Sequence, residues 1–107
     1  MKILIFKHSH TFQEIIAKVE DDVANDIIQN GIQSVSAVSV TDPLVVMVQH
    51  QEAGVGIALA PFSYVLHHDT AILDTSSMLT AFEASSELEK GYKSQTSGIA
   101  IASSLPA

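Results

Sequence analysis

Cysteine is missing from this chain of 107 residues. Disulfide bonds, cysteine-ligated zinc or iron–sulfur sites and a thiol nucleophile are therefore excluded together. The absence also argues against a small secreted scaffold that is held by disulfides. A chain of this length buries about two thirds of its unfolded surface without such a staple. We therefore expect a single α+β domain over residues 1–107, in which residues 103–107 form a frayed tail.

Arginine is absent as well, and twelve Asp and Glu residues outnumber the lysines to give a net charge of −7. Arginine is the side chain best suited to phosphates and guanine edges. Binding to nucleic acid also requires a basic surface that releases counterions. The composition therefore predicts no binding to DNA or RNA.

Long apolar runs do not occur. Residues 3–6 are apolar but stand between two lysines, which is too short for the apolar region of a signal peptide. The longest strongly apolar run, residues 54–62, is far below the roughly 20 residues that cross a bilayer. We therefore expect a cytoplasmic protein that does not bind membranes.

The chain is also poor in charge. Charged residues make up 16% of it and apolar residues 47%, whereas soluble domains average about 25% charged residues. Small monomers usually cover their surface with charge. We interpret the shortage as surface that another copy covers, and we predict a homo-oligomer. The alternative is a monomer with a surface of Ser, Thr and Gln.

One amphipathic pattern predicts a helix over residues 12–29. Thr11 and Glu14 fit a capping box, in which the Thr11 side chain accepts from the backbone of Glu14. Asn30 and Gly31 fit a helix stop. Apolar side chains recur at spacings of three and four residues, as on one face of a helix. These side chains are Phe12, Ile15, Ile16, Val19, Val23 and Ile27.

The remaining pattern predicts strands and one further helix. A weaker amphipathic stripe predicts the second helix over residues 78–91. The segments read as strands are 2–7, 44–49, 55–60 and 98–102, with 34–40 as a doubtful fifth and 62–74 without an assignment. This order matches a split β-α-β (ferredoxin-like) sandwich, with four to five mainly antiparallel strands and two helices on one face. The alternative is another α+β layout with five or six strands.

Two of the predicted strands repeat one pattern. Residues 56–60 read Gly-Ile-Ala-Leu-Ala and residues 98–102 read Gly-Ile-Ala-Ile-Ala. Alternation puts the large side chains on one face of each strand and Gly or Ala on the other. A face of small residues allows a helix, another subunit or a flat ligand to approach closely. Coincidence in an Ala- and Ile-rich chain is the alternative.

Histidines suggest a metal site. His8 and His10 follow the first predicted strand, and His67, His68 and Asp69 form a second group. Imidazole and carboxylate ligands together suit Zn²⁺, Mn²⁺ or Fe²⁺. These five residues are therefore candidate ligands of a divalent metal, and the alternative is that they are polar loop and cap residues.

The first pair also carries a resemblance. Residues 6–11, Phe-Lys-His-Ser-His-Thr, resemble the His-x-His at a strand end in metal-dependent phosphoesterases. The resemblance covers these six residues and implies a metal-dependent hydrolase. The barrels that carry this motif are much longer and have further His and Asp ligands, so no family is assigned from it.

A polar segment at residues 90–98 is bracketed by glycines and predicts a loop between a helix and a strand. Lys93 and the hydroxyls of Ser94 and Thr96 are candidates for holding the phosphate of a small nucleotide-like ligand, and Tyr92 for stacking on its base. A plain connection without a ligand is the alternative.

Catalytic motifs are lacking: the sequence has no nucleophile elbow, P-loop or dinucleotide-binding glycine fingerprint. Our leading hypothesis is therefore a non-catalytic, homo-oligomeric binding or accessory protein that holds a small ligand or a partner protein at a subunit junction. Its size, acidity and composition suit a protein encoded by a phage or mobile element. The alternative is a metal-dependent hydrolase that uses the two histidine groups, and no cofactor other than this divalent metal is expected.

Overall fold

The computed structural model describes residues 1–11, 13–52, 54–61 and 70–96. Within these ranges the chain forms one six-stranded antiparallel sheet, two helices and two 3-10 turns, at Ile32–Ser34 and Thr75–Ser77. The strands and helices are β1 (Lys2–His8), β2 (Glu14–Val19), α1 (Asp21–Asn30), β3 (Ala37–Gln51), β4 (Gly54–Pro61), β5 (Thr70–Asp74), β6 (Met78–Glu83) and α2 (Ser86–Thr96). Neither helix of this part of the chain has the length and apolar content needed to cross a membrane.

The long strand β3 organises the sheet, whose strand order is β4-β3-β2-β1-β6. The first part of β3, residues 37–41, pairs with β5, and residues 44–51 pair with β4. Thr41 pairs with both β2 and β5, so β4 and β5 lie end to end along the same side of β3. The strand changes direction between these two partners, at Asp42, whose φ is 51°.

Each face of the sheet carries one helix. On one face, Ala24 and Ile27 of α1 pack into the larger core. On the other face, Leu88 and Tyr92 of α2 pack against Ile3, Ile5 and Ile16. Neighbouring residues of a strand point to opposite faces, so the continuous apolar run of β1 supplies both cores. The strand side chains of the larger core are Leu4, Phe6, Ile15, Ala17, Val19, Val38, Val40, Leu73 and Met78.

The prediction of a ferredoxin-like split β-α-β sandwich is wrong. The sheet has six antiparallel strands among the described residues, and its helices cover opposite faces instead of one. The physical reason is that β1 continues through a hairpin into β2, so the first connection is β-β and not β-α. The doubtful strand at residues 34–40 is real in its second half, as the start of β3.

The helix predicted over residues 12–29 is wrong in its first half. Residues 14–19 form β2, with Ile15 opposite Phe6 in the register with β1. Instead of capping a helix, the Thr11 hydroxyl accepts a 3.2 Å hydrogen bond from the Gln13 N–H inside the β1–β2 turn. The predicted helix stop is confirmed: α1 ends at Asn30, and Gly31 has a φ of 93°.

The second predicted helix is displaced along the chain. Residues 78–83 form β6, and α2 begins at Ser86, where the Ser85 hydroxyl accepts a hydrogen bond from the Leu88 N–H. The helix continues through Gly91 to Thr96, so the predicted loop at 90–98 is helical as far as the structure describes it. The strands predicted at 2–7, 44–49 and 55–60 are confirmed within β1, β3 and β4. The predicted strand at 98–102 lies outside the described residues.

Candidate functional site

A groove of about 550 Å³ runs between β4 and α2. Its floor is the middle of β4, where Ile57 and Leu59 share the face that α2 covers because alternate residues of a strand point the same way. Leu88 of α2 supplies the largest apolar side chain of the opposite wall. The residues that line the groove are Ile57, Ala58, Leu59, Ser85, Glu87, Leu88, Gly91 and Gln95.

The groove wall is fixed at both ends of α2. At the start of the helix, the Ser85 hydroxyl and carbonyl accept from the Leu88 and Glu89 N–H groups, which is a helix N-cap. Near the end, the Gln95 side-chain amide donates to the Leu59 carbonyl over 2.9 Å and bridges the helix to β4. The spacing of Leu88, Gly91 and Gln95 is three and four residues, which puts them on one side of the helix.

Gly91 keeps the middle of this wall open. A Cβ atom added at Gly91 would have no atom within 4 Å in its surroundings, so neither close packing nor a neighbouring backbone requires glycine there. Glycine inside a helix costs about 0.5–1 kcal/mol relative to alanine. Glycine at position 91 therefore lowers the stability of α2 slightly, although a side chain there would meet only empty space beside the groove.

Charge in the groove is limited to one carboxylate. Glu87 is its single ionisable lining residue and is exposed, and it makes no ion pair with the part of the chain that the structure describes. The next carboxylate of the helix, Glu89, contacts Lys93 at 2.9 Å instead. An apolar groove with a carboxylate beside it suits a ligand that has an apolar body and a cationic group.

The four predicted ligand residues do not converge. Tyr92 is buried, and its hydroxyl contacts the carbonyl oxygens of Thr41 and Asp42 in β3 at 3.1 and 2.6 Å. Lys93 is exposed and pairs with Glu89. The Thr96 hydroxyl donates to the Tyr92 carbonyl one helical turn back. Ser94 is exposed. All four residues lie on α2, where consecutive positions are about 100° apart, so their side chains point in different directions. Binding of a nucleotide-like ligand by these four residues stays a prediction.

Tyr92 is a protonated member of the core. Burial raises the pKa of its phenol, and the nearby Asp42 carboxylate raises it further. The Lys18 ammonium lies 5.9 Å from the centre of the ring and 3.1 Å from that carboxylate. Lys18, Asp42 and Tyr92 thus form one contact group under α2, which sequence reasoning missed because it assigned Tyr92 to a loop.

Of the three histidines that the structure describes, His50 lies in β3, and His8 and His10 lie at the β1–β2 connection. His8 ends β1 opposite Met78 and is half-buried, whereas His10 is exposed. Among the residues that the structure describes, no group of three or more His, Asp or Glu side chains has an arrangement that would hold a metal ion. His67, His68 and Asp69 lie outside the described residues, so the proposed divalent metal site stays a prediction.

Similarity to other proteins adds nothing to this description. No protein family matches the sequence, and a comparison with curated proteins gives no match. Within the repeat at residues 56–60, α2 lies over the face of the large residues Ile57 and Leu59, whereas Gly and Ala occupy the other face of the strand. The close approach expected at the small-residue face stays a prediction.

Proposed function

We propose that this chain is a non-catalytic, homo-oligomeric binding protein that holds a small amphipathic ligand in the groove between β4 and α2. The observation that carries the proposal is the glycine at position 91 in the groove wall. A Cβ atom there would have no atom within 4 Å, so the packing of the fold does not require a glycine. The expected ligand has an apolar body and a cationic head.

The lining of the groove supports binding more than catalysis. Ligand pockets of about 300–1,000 Å³ typically combine apolar walls with a few polar groups that set orientation. Ile57, Leu59 and Leu88 provide the apolar walls here, and Gln95 and Glu87 provide the polar groups. Acid–base or nucleophilic catalysis requires cooperating groups within hydrogen-bond reach of the substrate, and this groove has a single ionisable side chain among the residues that line it.

The charge of Glu87 defines the head group of the ligand. A carboxylate with no ion pair in the described part of the chain attracts a cation, and its exposure limits this attraction to the modest energy of a surface pair. Most of the affinity must therefore come from burial of the apolar body against β4 and Leu88.

A titration with two matched probes tests this proposal. Hexylamine and hexanoate have the same number of carbon atoms and opposite charge, and ¹⁵N-labelled protein reports where each one binds. We expect hexylamine to shift the amide signals of Leu59, Leu88 and Gln95 in a saturable way, with an affinity about threefold above that of hexanoate, the size of an exposed ion-pair effect.

Variants separate the two parts of the site. Glu87→Gln should remove the preference for hexylamine, whereas Glu52→Gln, which alters an exposed carboxylate in the β3–β4 turn, should retain it. Gly91→Val should weaken both probes, because its side chain enters the groove. Shifts spread over the acidic residues of α1, or binding unchanged in Gly91→Val, would contradict the proposal.

A further inference from the structure

Asparagine occurs at two positions of the chain, Asn25 and Asn30, and both lie on α1. Asn25 stands in the middle of the helix and is followed by Asp26, whereas Asn30 is the last helical residue and is followed by Gly31. Both side chains are exposed. Asn30 is chemically the less stable of the two, because a following glycine has no side chain that shields its backbone nitrogen from the neighbouring side-chain amide.

Gly31 leaves the space around this nitrogen open. A Cβ atom added at Gly31 would have no atom within 4 Å, and the residue itself is exposed. Its φ of 93° also turns the chain away from the helical direction directly after Asn30. Water and hydroxide therefore reach the Asn30–Gly31 peptide bond from the outside of the protein.

Two hydrogen bonds of the last helical turn restrain this pair. The Gly31 N–H donates to the Ile27 carbonyl over 2.7 Å. The Asn30 side-chain amide donates to the Asp26 carboxylate over 2.6 Å. Side chains of a helix point toward its N-terminus, so the Asn30 amide is drawn back over the preceding turn while the Gly31 nitrogen lies on the C-terminal side. The nitrogen reaches the side-chain carbonyl carbon of Asn30 only after both hydrogen bonds break.

Opening of this turn is confined to a short exposed segment. Ile27 before it and Ile32 after it are buried in the larger core and expose 1% and 4% of their surface. Between them, residues 28–31 are all exposed. The ends of helices fray at little cost in free energy, and fraying here separates no core side chain from its contacts. The last turn of α1 therefore opens while the rest of the fold stays closed.

We infer that Asn30 is a site of spontaneous deamidation and that opening of the last turn of α1 controls its rate. In the open turn, the Gly31 nitrogen gives its proton to hydroxide and attacks the side-chain carbonyl carbon of Asn30. The new N–C bond closes a succinimide ring, and the side-chain amide nitrogen leaves as ammonia after it takes a proton from water. Water then hydrolyses either carbonyl–nitrogen bond of the ring, which gives aspartate or isoaspartate at position 30. One water is consumed and one ammonia is released, with no change in oxidation state.

The product holds the last turn less well than Asn30 does. A carboxylate at position 30 has no N–H to donate to Asp26, and two carboxylates four residues apart on a helix repel each other. It also places a negative charge at the C-terminal end of α1, where the helix dipole disfavours an anion. Isoaspartate adds a methylene group to the backbone, which disrupts the spacing of the helical hydrogen bonds. Deamidation therefore favours the open turn, and refolding does not reverse it.

Peptide mapping of the full chain tests the inference, with Asn25 as an internal control. The protein is kept at mildly alkaline pH, either folded or unfolded in urea, and is then digested after glutamate. Cleavage after Glu20 and Glu52 gives one peptide, residues 21–52, that contains both asparagines. Mass spectrometry detects the change from amide to acid, and fragmentation locates it. We expect conversion at Asn30 and none at Asn25 in the folded protein, and several-fold faster conversion of Asn30 in urea.

Two matched variants test the role of the last turn. Asp26→Ala removes the acceptor that restrains the Asn30 amide, and Asp22→Ala removes an exposed carboxylate at the start of the same helix. Both variants gain the helix propensity of alanine, so their comparison isolates the contact with Asn30. Deamidation in folded Asp26→Ala should be about twofold faster than in folded Asp22→Ala, the size of a side-chain pair four residues apart on a helix. In urea the two variants should react at the same rate, because neither side chain restrains Asn30 there.

The inference fails if the folded protein converts Asn25 as fast as Asn30, or leaves Asn30 intact while the unfolded chain is fully converted. Equal rates in the folded and unfolded chain, or in folded Asp26→Ala and Asp22→Ala, would overturn control by the last turn. Asn30→Asp carries one of the two products and should have a lower thermal midpoint than the wild type. An unchanged midpoint would overturn the effect assigned to the product.

Discussion

The Tyr92 hydroxyl lies 2.6 Å from the carbonyl oxygen of Asp42 and donates to it, which ties helix α2 to the bend of strand β3. Asp42 has a φ of 51°, and its carbonyl is available at the point where β3 leaves one partner strand for another. The hydroxyl also reaches the Thr41 carbonyl at 3.1 Å. The Tyr92 side chain therefore packs α2 against the sheet through its ring and holds the bend of β3 through its hydroxyl.

Tyr92→Phe should lower the free energy of unfolding by about 1–2 kcal/mol, because it removes a buried hydrogen bond and leaves its acceptor without a donor. The ring and its contacts with Ile3, Ile5 and Ile16 are retained. Urea denaturation should show a lower midpoint with an unchanged slope. An unchanged midpoint would show that the two carbonyl contacts contribute nothing measurable.

Alkaline pH should destabilise the wild type through the same residue. Burial first, and the Asp42 carboxylate second, raise the pKa of Tyr92 above its ordinary value. The unfolded chain therefore loses this proton from about pH 10 upward, while the folded protein keeps it. The stabilisation is fully present below that pH and is lost as the pH rises above it. Above about pH 10, the free energy of unfolding should fall more steeply with pH in the wild type than in Tyr92→Phe.

The stability of variants at Asp42 should depend on whether the new residue tolerates a positive φ. A positive φ is tolerated by Asn and Gly and costs other residues about 1–2 kcal/mol. Asp42→Asn should lose the carboxylate charge of the 3.1 Å ion pair with Lys18 and keep an acceptor oxygen. Asp42→Ala should lose the whole contact and also strain the backbone. Thermal denaturation should rank the wild type above Asp42→Asn, and Asp42→Asn above Asp42→Ala. Equal stability of the two variants would contradict the role of the bend.

Gly91→Ala should raise the free energy of unfolding by about 0.5–1 kcal/mol, since alanine favours a helix interior and its methyl group meets no atom within 4 Å. Gly31→Ala is the matched control. It also has free space, but its φ of 93° strains a side chain, so it should destabilise. The same sign for both variants would show that space alone, and not conformation, controls these positions.

Ile16 and Ile28 should respond differently to the same change. Ile16 is fully buried under α2, and Ile16→Ala should cost about 2–5 kcal/mol, as is usual for a core isoleucine. Ile28 exposes 41% of its surface on α1, and Ile28→Ala should cost well below that range. Denaturant unfolding measures both. Burial of Ile16 alone does not distinguish strand β2 from the helix predicted over residues 12–29. Hydrogen exchange does, because the backbone amides of residues 14–19 should be protected by their hydrogen bonds to β1 and β3.

Some of the fold was readable from local pattern. The apolar run of β1 is buried or half-buried on both faces, and residues 44–46 of β3 and 58–60 of β4 are half-buried. Such continuous apolar runs read as strands. The end of α1 at Gly31 was also readable, because only glycine accepts a positive φ there without strain. These features depend on a few neighbouring residues, so the sequence alone contains them.

Residues 14–19 show why the rest was not readable. Ile15, Ile16 and Val19 fit the spacing of a helix, and Ile15, Ala17 and Val19 fit the alternation of a strand equally well. Pairing with β1 decided between them, because it buries Ile15 and Val19 on one face and Ile16 on the other. β-Branched residues favour the extended form once such a partner is present.

The candidate site was beyond sequence reasoning for a similar reason. Leu59 and Leu88 each read as ordinary core residues of a strand and a helix, and Gly91 read as a helix end. Only the docking of α2 across β4 makes them walls of one groove. The hydrogen bond from Gln95 to the Leu59 carbonyl, which spans 36 positions of the chain, has no local signal at all.

The sequence by itself determined the acidity of the protein, its lack of thiols, the strand character of its continuous apolar runs and the stop of its first helix. Each of these follows from composition or from the conformational limits of a few adjacent residues. Tertiary structure decided which of two periodicities residues 14–19 adopt, which face each helix covers, and that Tyr92 is a core residue. Those choices depend on the free energy of burying side chains against partners that are distant in the chain, and no local pattern encodes that free energy.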